Sequence, residues 1–174
     1  MFLRSYEACE LANTLLIEKA AMSDNVNLQV ASNPAYVFYI DKNRIDALAG
    51  KSVGKWMHFF SCDHIDFAES ICKKAVESGA VIEAKHTSQE SIDFLGLPTD
   101  VCCFYVQADD KDAQRKALRF LIANDLIRRT KAGKLFDISF KFDEQTRAGE
   151  YGADFESKVK LSDYVDLQTG EFIS

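Results

Sequence analysis

Two prolines, one tryptophan and three histidines are all that 174 residues contain of these types. With so little proline, no internal repeat and no low-complexity stretch, a solenoid or an extended linker is excluded, and one folded unit is expected over 1–174. No run of about 18 apolar residues is present to span a bilayer. Glu7, Glu10 and Glu18 interrupt the first stretch, where a secretory segment needs unbroken apolar chain. A cytoplasmic protein without membrane association is expected.

The five cysteines are odd in number and lack C-x-x-C spacing, which favours small apolar fillers over a disulfide frame or a zinc site. The histidines lie apart from any ligand cluster, so no metal and no cofactor are expected. A phosphate loop of the G-x-x-x-x-G-K type, a G-x-S-x-G nucleophile turn and a dinucleotide fingerprint are missing. An ordinary hydrolase or oxidoreductase is disfavoured on that basis.

Twenty-seven acidic residues against 21 basic ones leave a net charge of -6, which excludes a protein coated in basic surface for nucleic acid but leaves room for a local patch. Apolar residues make up 47% of the chain, enough for a sizeable core and too many for disorder.

The apolar residues fall into alternating helix and strand patterns. Residues 5–22 read as an amphipathic helix, with Leu11, Leu15 and Leu16 at helical spacing. "AYVFYI" at 35–40 reads as a strand, and a short helix at 44–49 follows, stopped by Gly50. "GKWMHFF" at 54–60 is the next strand, with Lys55, Met57 and Phe59 on one face and Trp56, His58 and Phe60 on the other. Asp63 is placed to cap a helix reaching to about Glu77.

A strand at 80–87, a loop at 88–99 carrying "GLP" with room for one helical turn, and a near-continuous apolar strand at 101–107 come next. Asp110 or Asp109 then caps a helix to about Asn124. In 136–142, Phe136, Ile138, Phe140 and Phe142 alternate with Asp137, Ser139 and Lys141, a period of two. The order predicts an α+β protein with a sheet backed by helices.

Candidate chemistry centres on cations within strands. Lys141 interrupts an aromatic run and Lys85 sits in "EAKH". With Lys55 and Arg147 they would converge if their strands are neighbours, and a phosphate needs such charges. Tyr105 or Trp56 would add a stacking surface, Trp56 being equally at home in the core. The alternative is that these cations pair with Glu83, Asp137, Asp143 and Glu144 on the surface, with little energetic consequence. A second basic stretch runs from Lys111 to Lys134, and the acidic C-terminal segment, 153–174, either folds across it or engages a protein partner.

"GKWMHFF", "IEAKHT", "VCCFYVQADDKDAQRKALRFL" and "FKFDEQTRAGEYG" occur in that order. Together they resemble the Bles03 family of uncharacterised proteins, over roughly 51–152. The resemblance implies the fold of the messenger-RNA cap-binding initiation factor 4E, a curved, mainly antiparallel sheet backed by helices. It makes 35–152 the core and 1–30 a helical appendage. It also carries over Lys55, Trp56, Met57, Lys85, Lys141, Asp143, Thr146 and Gly149, while Phe142 stands where the family often has proline.

The expected function is therefore binding of a phosphorylated or nucleotide-like ligand, RNA included, through Lys55, Trp56, Lys85, Tyr105, Lys141, Asp143, Thr146 and Arg147. A protein-interaction module is the alternative. A phosphothreonine-lyase-like enzyme, a label the resemblance also brings, would need a lysine base and a histidine acid together, and Lys85 and His86 are adjacent on a strand, where neighbouring side chains oppose each other.

Overall fold

Period-two alternation sends successive side chains to opposite sides of every strand, and in this molecule the two sides have different fates. The computed structural model describes residues 25–152 and 155–173. The helix expected at 5–22, together with Cys9 and Asp154, lies outside the described residues. Seven strands form one open antiparallel sheet: β1 (Leu28–Ser32), β2 (Tyr36–Asp41), β3 (Val53–Ser61), β4 (Glu83–Thr87), β5 (Thr99–Gln107), β6 (Ser139–Phe142) and β7 (Val159–Lys160), in the spatial order β1-β2-β4-β5-β3-β6-β7. Among the described residues four α-helices accompany it: α1 (Ile65–Glu77), α2 (Gln89–Leu95), α3 (Lys111–Ala123) and α4 (Asp143–Arg147).

The back face is the core. Tyr39, Trp56, Ala84, Phe104 and Phe140 of the strands pack there against Ala68, Ile71 and Cys72 of α1 and Ala117, Leu118 and Leu121 of α3. Trp56 is fully buried, and its indole Nε1 donates to Oε1 of the fully buried Gln114 at 2.7 Å. Gln114 in turn donates to the Gln107 carbonyl at 3.0 Å, so the one polar atom of the ring is satisfied and no amide is stranded. Asp110 caps α3, accepting from the Ala113 amide at 2.9 Å.

Pairing along β3 is uneven. It matches β5 over its whole length, from Val53↔Gln107 to Ser61↔Thr99, but matches β6 only at Gly54↔Phe142 and Lys55↔Lys141. The second contact requires a residue without a side chain at 54, because a Cβ there would lie 2.5 Å from the Phe140 ring and 2.7 Å from the Lys141 carbonyl oxygen. Ring contacts reinforce the short ladder: Phe140 meets Trp56 and Phe142 edge-on, each at 5.3 Å between centroids.

Several elements depart from the sequence expectation. β1 has no counterpart in it, since "LQVAS" is mostly exposed and lacks an apolar stripe; it exists by pairing with β2 over five residues. The loop expected at 88–99, with room for one helical turn, holds the longer seven-residue α2, capped by the Ser88 hydroxyl accepting from the Ser91 amide. β6 begins at Ser139 rather than 136, because Asp137 turns away to accept from the Ser162 amide and hydroxyl, each at 2.9 Å. Phe136 is left exposed beneath the Arg128 guanidinium.

The C-terminal segment adds β7, buries Leu161, Tyr164 and Val165, and crosses the outer side of α3. Arg115 donates to the Ile173 carbonyl at 3.2 Å, Arg119 lies 4.9 Å from the Phe172 ring, and Lys111 lies 3.2 Å from the Tyr164 hydroxyl. The basic helix is thus crossed by rings and a carbonyl; none of the ion pairs among the described residues joins it to the segment's acids.

Candidate functional site

The front face of the sheet, away from α1 and α3, carries seven of the eight residues singled out from sequence. Cross-strand register brings them together: Lys55 lies opposite Tyr105 on one side and Lys141 on the other, Tyr105 lies opposite Glu83, and Lys85 stands between Phe38 and Cys103. α4 folds over the end of β6 and adds Asp143, Thr146 and Arg147. Trp56 is the exception. It projects into the back-face core with no exposed surface, so it offers no stacking platform, and its inclusion among ligand-contacting residues is corrected. Strand alternation alone separates it from Lys55.

Each lysine meets a different environment. Lys55 is buried, and its Nζ donates to Asp143 Oδ1 at 2.7 Å and Thr146 Oγ1 at 3.0 Å while lying 5.3 Å from the Tyr105 ring centre. Lys141, also buried, donates to the Glu150 carbonyl at 2.6 Å and lies under the Tyr151 ring at 3.7 Å, with Phe155 at 5.2 Å. Lys85 has aromatic faces instead of acceptors: Tyr36 at 3.8 Å, Phe38 at 5.5 Å and Tyr105 at 5.7 Å. Among the described residues, no hydrogen bond or ion pair holds its ammonium.

Burial and crowding set the electrostatics. Burial pushes the Lys85 ammonium below the ordinary lysine pKa, and the nearby Lys55 charge pushes the same way. Lys141 is lowered by burial first and then by Lys55. The Glu83 carboxyl is raised by burial, partly offset by Lys85, and burial takes the Cys103 thiol up to about 11, so no reactive thiolate stands on this face. The Lys55 charge acts unfavourably on both Lys85 and Lys141, while Asp143 and Glu83 act favourably on Lys85 and Glu150 on Lys141.

Beside them lies a cavity of about 350 Å³ whose lining includes Phe38, Glu83, Tyr105, Asp143 and the exposed Arg147. Tyr105 and Phe38 border both this cavity and Lys85, so Lys85 and Arg147, the two of these four cations with neither a hydrogen-bond acceptor nor an ion-pair partner among the described residues, flank a common aromatic floor.

The tyrosine over Lys141 and the carbonyl beneath it were not visible as site components in the sequence. Their signal is "AGEYG": Gly149 has φ of +73°, a conformation that glycine adopts without strain and that turns the chain back over β6. The short helix α4 was equally hidden, being only five residues long.

Lys85 and His86 do project from opposite faces. His86 is fully buried on the back face, with Nδ1 2.8 Å from the Thr87 carbonyl and Nε2 3.4 Å from the Tyr39 hydroxyl, so a lysine base and histidine acid are not assembled here. Burial lowers the His86 pKa, opposed by the Thr87 carbonyl and the charges of Glu69 and Asp100. The unfolded chain therefore takes up a proton near pH 6.5 that the folded one refuses, and stability falls as pH drops through and below that value. Unfolding free energies from urea titrations at pH 7.5 to 5.5 should decline by no more than about 1.4 kcal/mol per pH unit from this group. His86→Gln should flatten that part of the decline; an unchanged profile in the variant rules the mechanism out.

Among the described residues no group of His, Cys, Asp and Glu is placed to hold a metal ion, and no helix is long and apolar enough to cross a membrane. No family model matches the chain, and no curated protein matches it.

Proposed function

We propose that this protein binds a phosphorylated, nucleotide-like ligand, RNA among the candidates, on the front face of its sheet. One observation carries the reading: the Lys85 ammonium stands among three aromatic rings with no ion-pair partner among the described residues, next to a cavity that also receives Arg147. Lys85 and Arg147 are the phosphate contacts, Phe38 and Tyr105 form the apolar floor against which a base rests, and Glu83 is the carboxyl available to the base edge. Lys55 and Lys141 act behind them as a fixed positive field, since their own donors are already committed to Asp143, Thr146 and the Glu150 carbonyl.

An initiation-factor-4E-like architecture, expected from the resemblance to the Bles03 family, belongs to this proposal. A helix-backed antiparallel sheet with a free cationic face supports it, although the sole tryptophan is unavailable for cap stacking. A cytoplasmic setting is also proposed, on the four cysteines without disulfides, Cys62, Cys72, Cys102 and Cys103.

The test is calorimetric titration with mononucleotides and short single-stranded RNAs. A charge-assisted contact contributes roughly 1.5–3 kcal/mol, so Lys85→Ala and Arg147→Ala should each weaken binding by about one to two decades. Raising salt should weaken it further. No binding across the panel, or binding indifferent to both variants, overturns the reading.

A further inference from the structure

A second surface lies at the end of the sheet where β3 stops and β5 starts. Ser61 pairs with Thr99 there, and the Cys62 amide donates to the Pro98 carbonyl at 3.1 Å, so the start of α1 and the end of α2 are brought to one place. Bulky apolar side chains stand out from it: Phe94 is 88% exposed, Phe59 66%, Leu95 55%, Leu97 46% and Phe67 44%. Folding normally buries such groups, and several left out in water on elements that meet at one end of the sheet mark a contact surface.

The two segments that carry these side chains have lysine- and arginine-free sequence around them. Residues 56–72 and 86–101 contain no lysine or arginine, while Asp63, Asp66, Glu69, Glu90 and Asp93 are all exposed in them. None of the five takes part in an ion pair among the described residues. Beside Phe59, the groove between β3 and β6 has a volume of about 540 Å³ and is bordered by Met57, Leu126 and Ile138, with Arg128 on its β6 side. β3 offers that groove a strand edge that β6 matches only at Gly54 and Lys55.

Exposed apolar side chains on a helix whose only charged residues are Glu90 and Asp93 are complementary to a segment that carries bulky apolar residues on one side and lysine or arginine on the other. An anionic membrane would be repelled by the same carboxylates. We infer that this end of the sheet is a docking surface for a basic amphipathic segment of a partner protein, with Phe94 and Leu97 as its apolar anchors and Glu90 and Asp93 as its charge contacts. Phe59 shares the front face of the sheet with Lys85, but the named anchors and charge contacts stand on α2 and the turn after it and none of them is a proposed nucleotide contact, so the inference stands whether or not a nucleotide binds.

Fluorescence anisotropy with labelled 18-residue peptides tests it, using leucine–lysine and leucine–arginine sequences of helical and of alternating period, with glutamate-substituted versions as controls. The full chain should bind at least one basic peptide and none of the acidic ones, more weakly at high salt. Phe94→Ser combined with Leu97→Ser should weaken that binding about tenfold, and so should Glu90→Lys combined with Asp93→Lys. All four residues are exposed, so both variants should keep the parent thermal midpoint. Failure of every basic peptide, equal binding of acidic peptides, or indifference to both double variants overturns the inference. So does preferential binding to phosphatidylserine vesicles, or self-association in sedimentation that Phe94→Ser abolishes, since either would give the surface a different occupant.

Discussion

Replacing Trp56 with alanine is expected to destabilise the protein by about 3–5 kcal/mol, the range for removing a large buried aromatic side chain. The ring is fully buried, touches Phe140, and satisfies the carbonyl oxygen of a fully buried Gln114. Alanine therefore leaves both a cavity between β3, β6 and α3 and an unpaired amide oxygen, and the second adds its own penalty of about 1–3 kcal/mol where water cannot reach it. Trp56→Phe should fall between the parent and alanine, because it retains packing volume but not the N–H donor. Equilibrium urea unfolding measures both. A loss below about 1 kcal/mol for the alanine variant would be incompatible with a fully packed ring.

Asp143→Ala should produce the other large effect, about 2–3 kcal/mol. Removing one member of a buried ion pair ordinarily costs about 3–5 kcal/mol because the remaining charge is stranded. The side chain of Lys55 is 8% exposed but that of Asp143 is 26% exposed, so water recovers part of the loss. Thr146 remains as a partner but carries no charge. Replacing both members, as Lys55→Met with Asp143→Ala, should restore most of the stability, since a well-packed apolar pair often matches a buried ion pair. The same variants separate architecture from ligand chemistry. Asp143→Ala takes a negative charge away from the front face and should strengthen nucleotide binding in the folded protein, whereas the double variant should not. Stability unchanged in Asp143→Ala would mean that the Lys55 charge is solvated and not held by α4.

The strands were readable because their chemistry is local. In 54–60 and 101–107, β-branched and aromatic residues mark extended chain, and alternation in 54–60 already states that Lys55, Met57 and Phe59 share a side that Trp56 does not. What alternation leaves open is which side the helices cover. That is settled by Gln114, 58 residues away in sequence, whose amide is the indole's acceptor. The anchoring of Lys55 is equally remote: Asp143 lies 88 residues further along the chain, and no local pattern pairs them. Lys85, Tyr105 and Arg147 could be nominated as residue types, but the lack of an acceptor for Lys85 among the described residues is a property of packing. β1 stayed hidden because an exposed edge strand has no apolar stripe to display, its pairing being supplied by its neighbour.

Gly54 and the two-pair ladder between β3 and β6 place an unexpected responsibility on the back of the molecule. With so few backbone hydrogen bonds joining these strands, the angle at which β6 leaves β3 is governed by how Phe140 seats against Trp56. α4 begins at the very next residue after β6, so Asp143 and Arg147 inherit that angle. The tryptophan that never meets a ligand thus works as an alignment peg for the residues that do, and its replacement would detune the opposite surface without touching it.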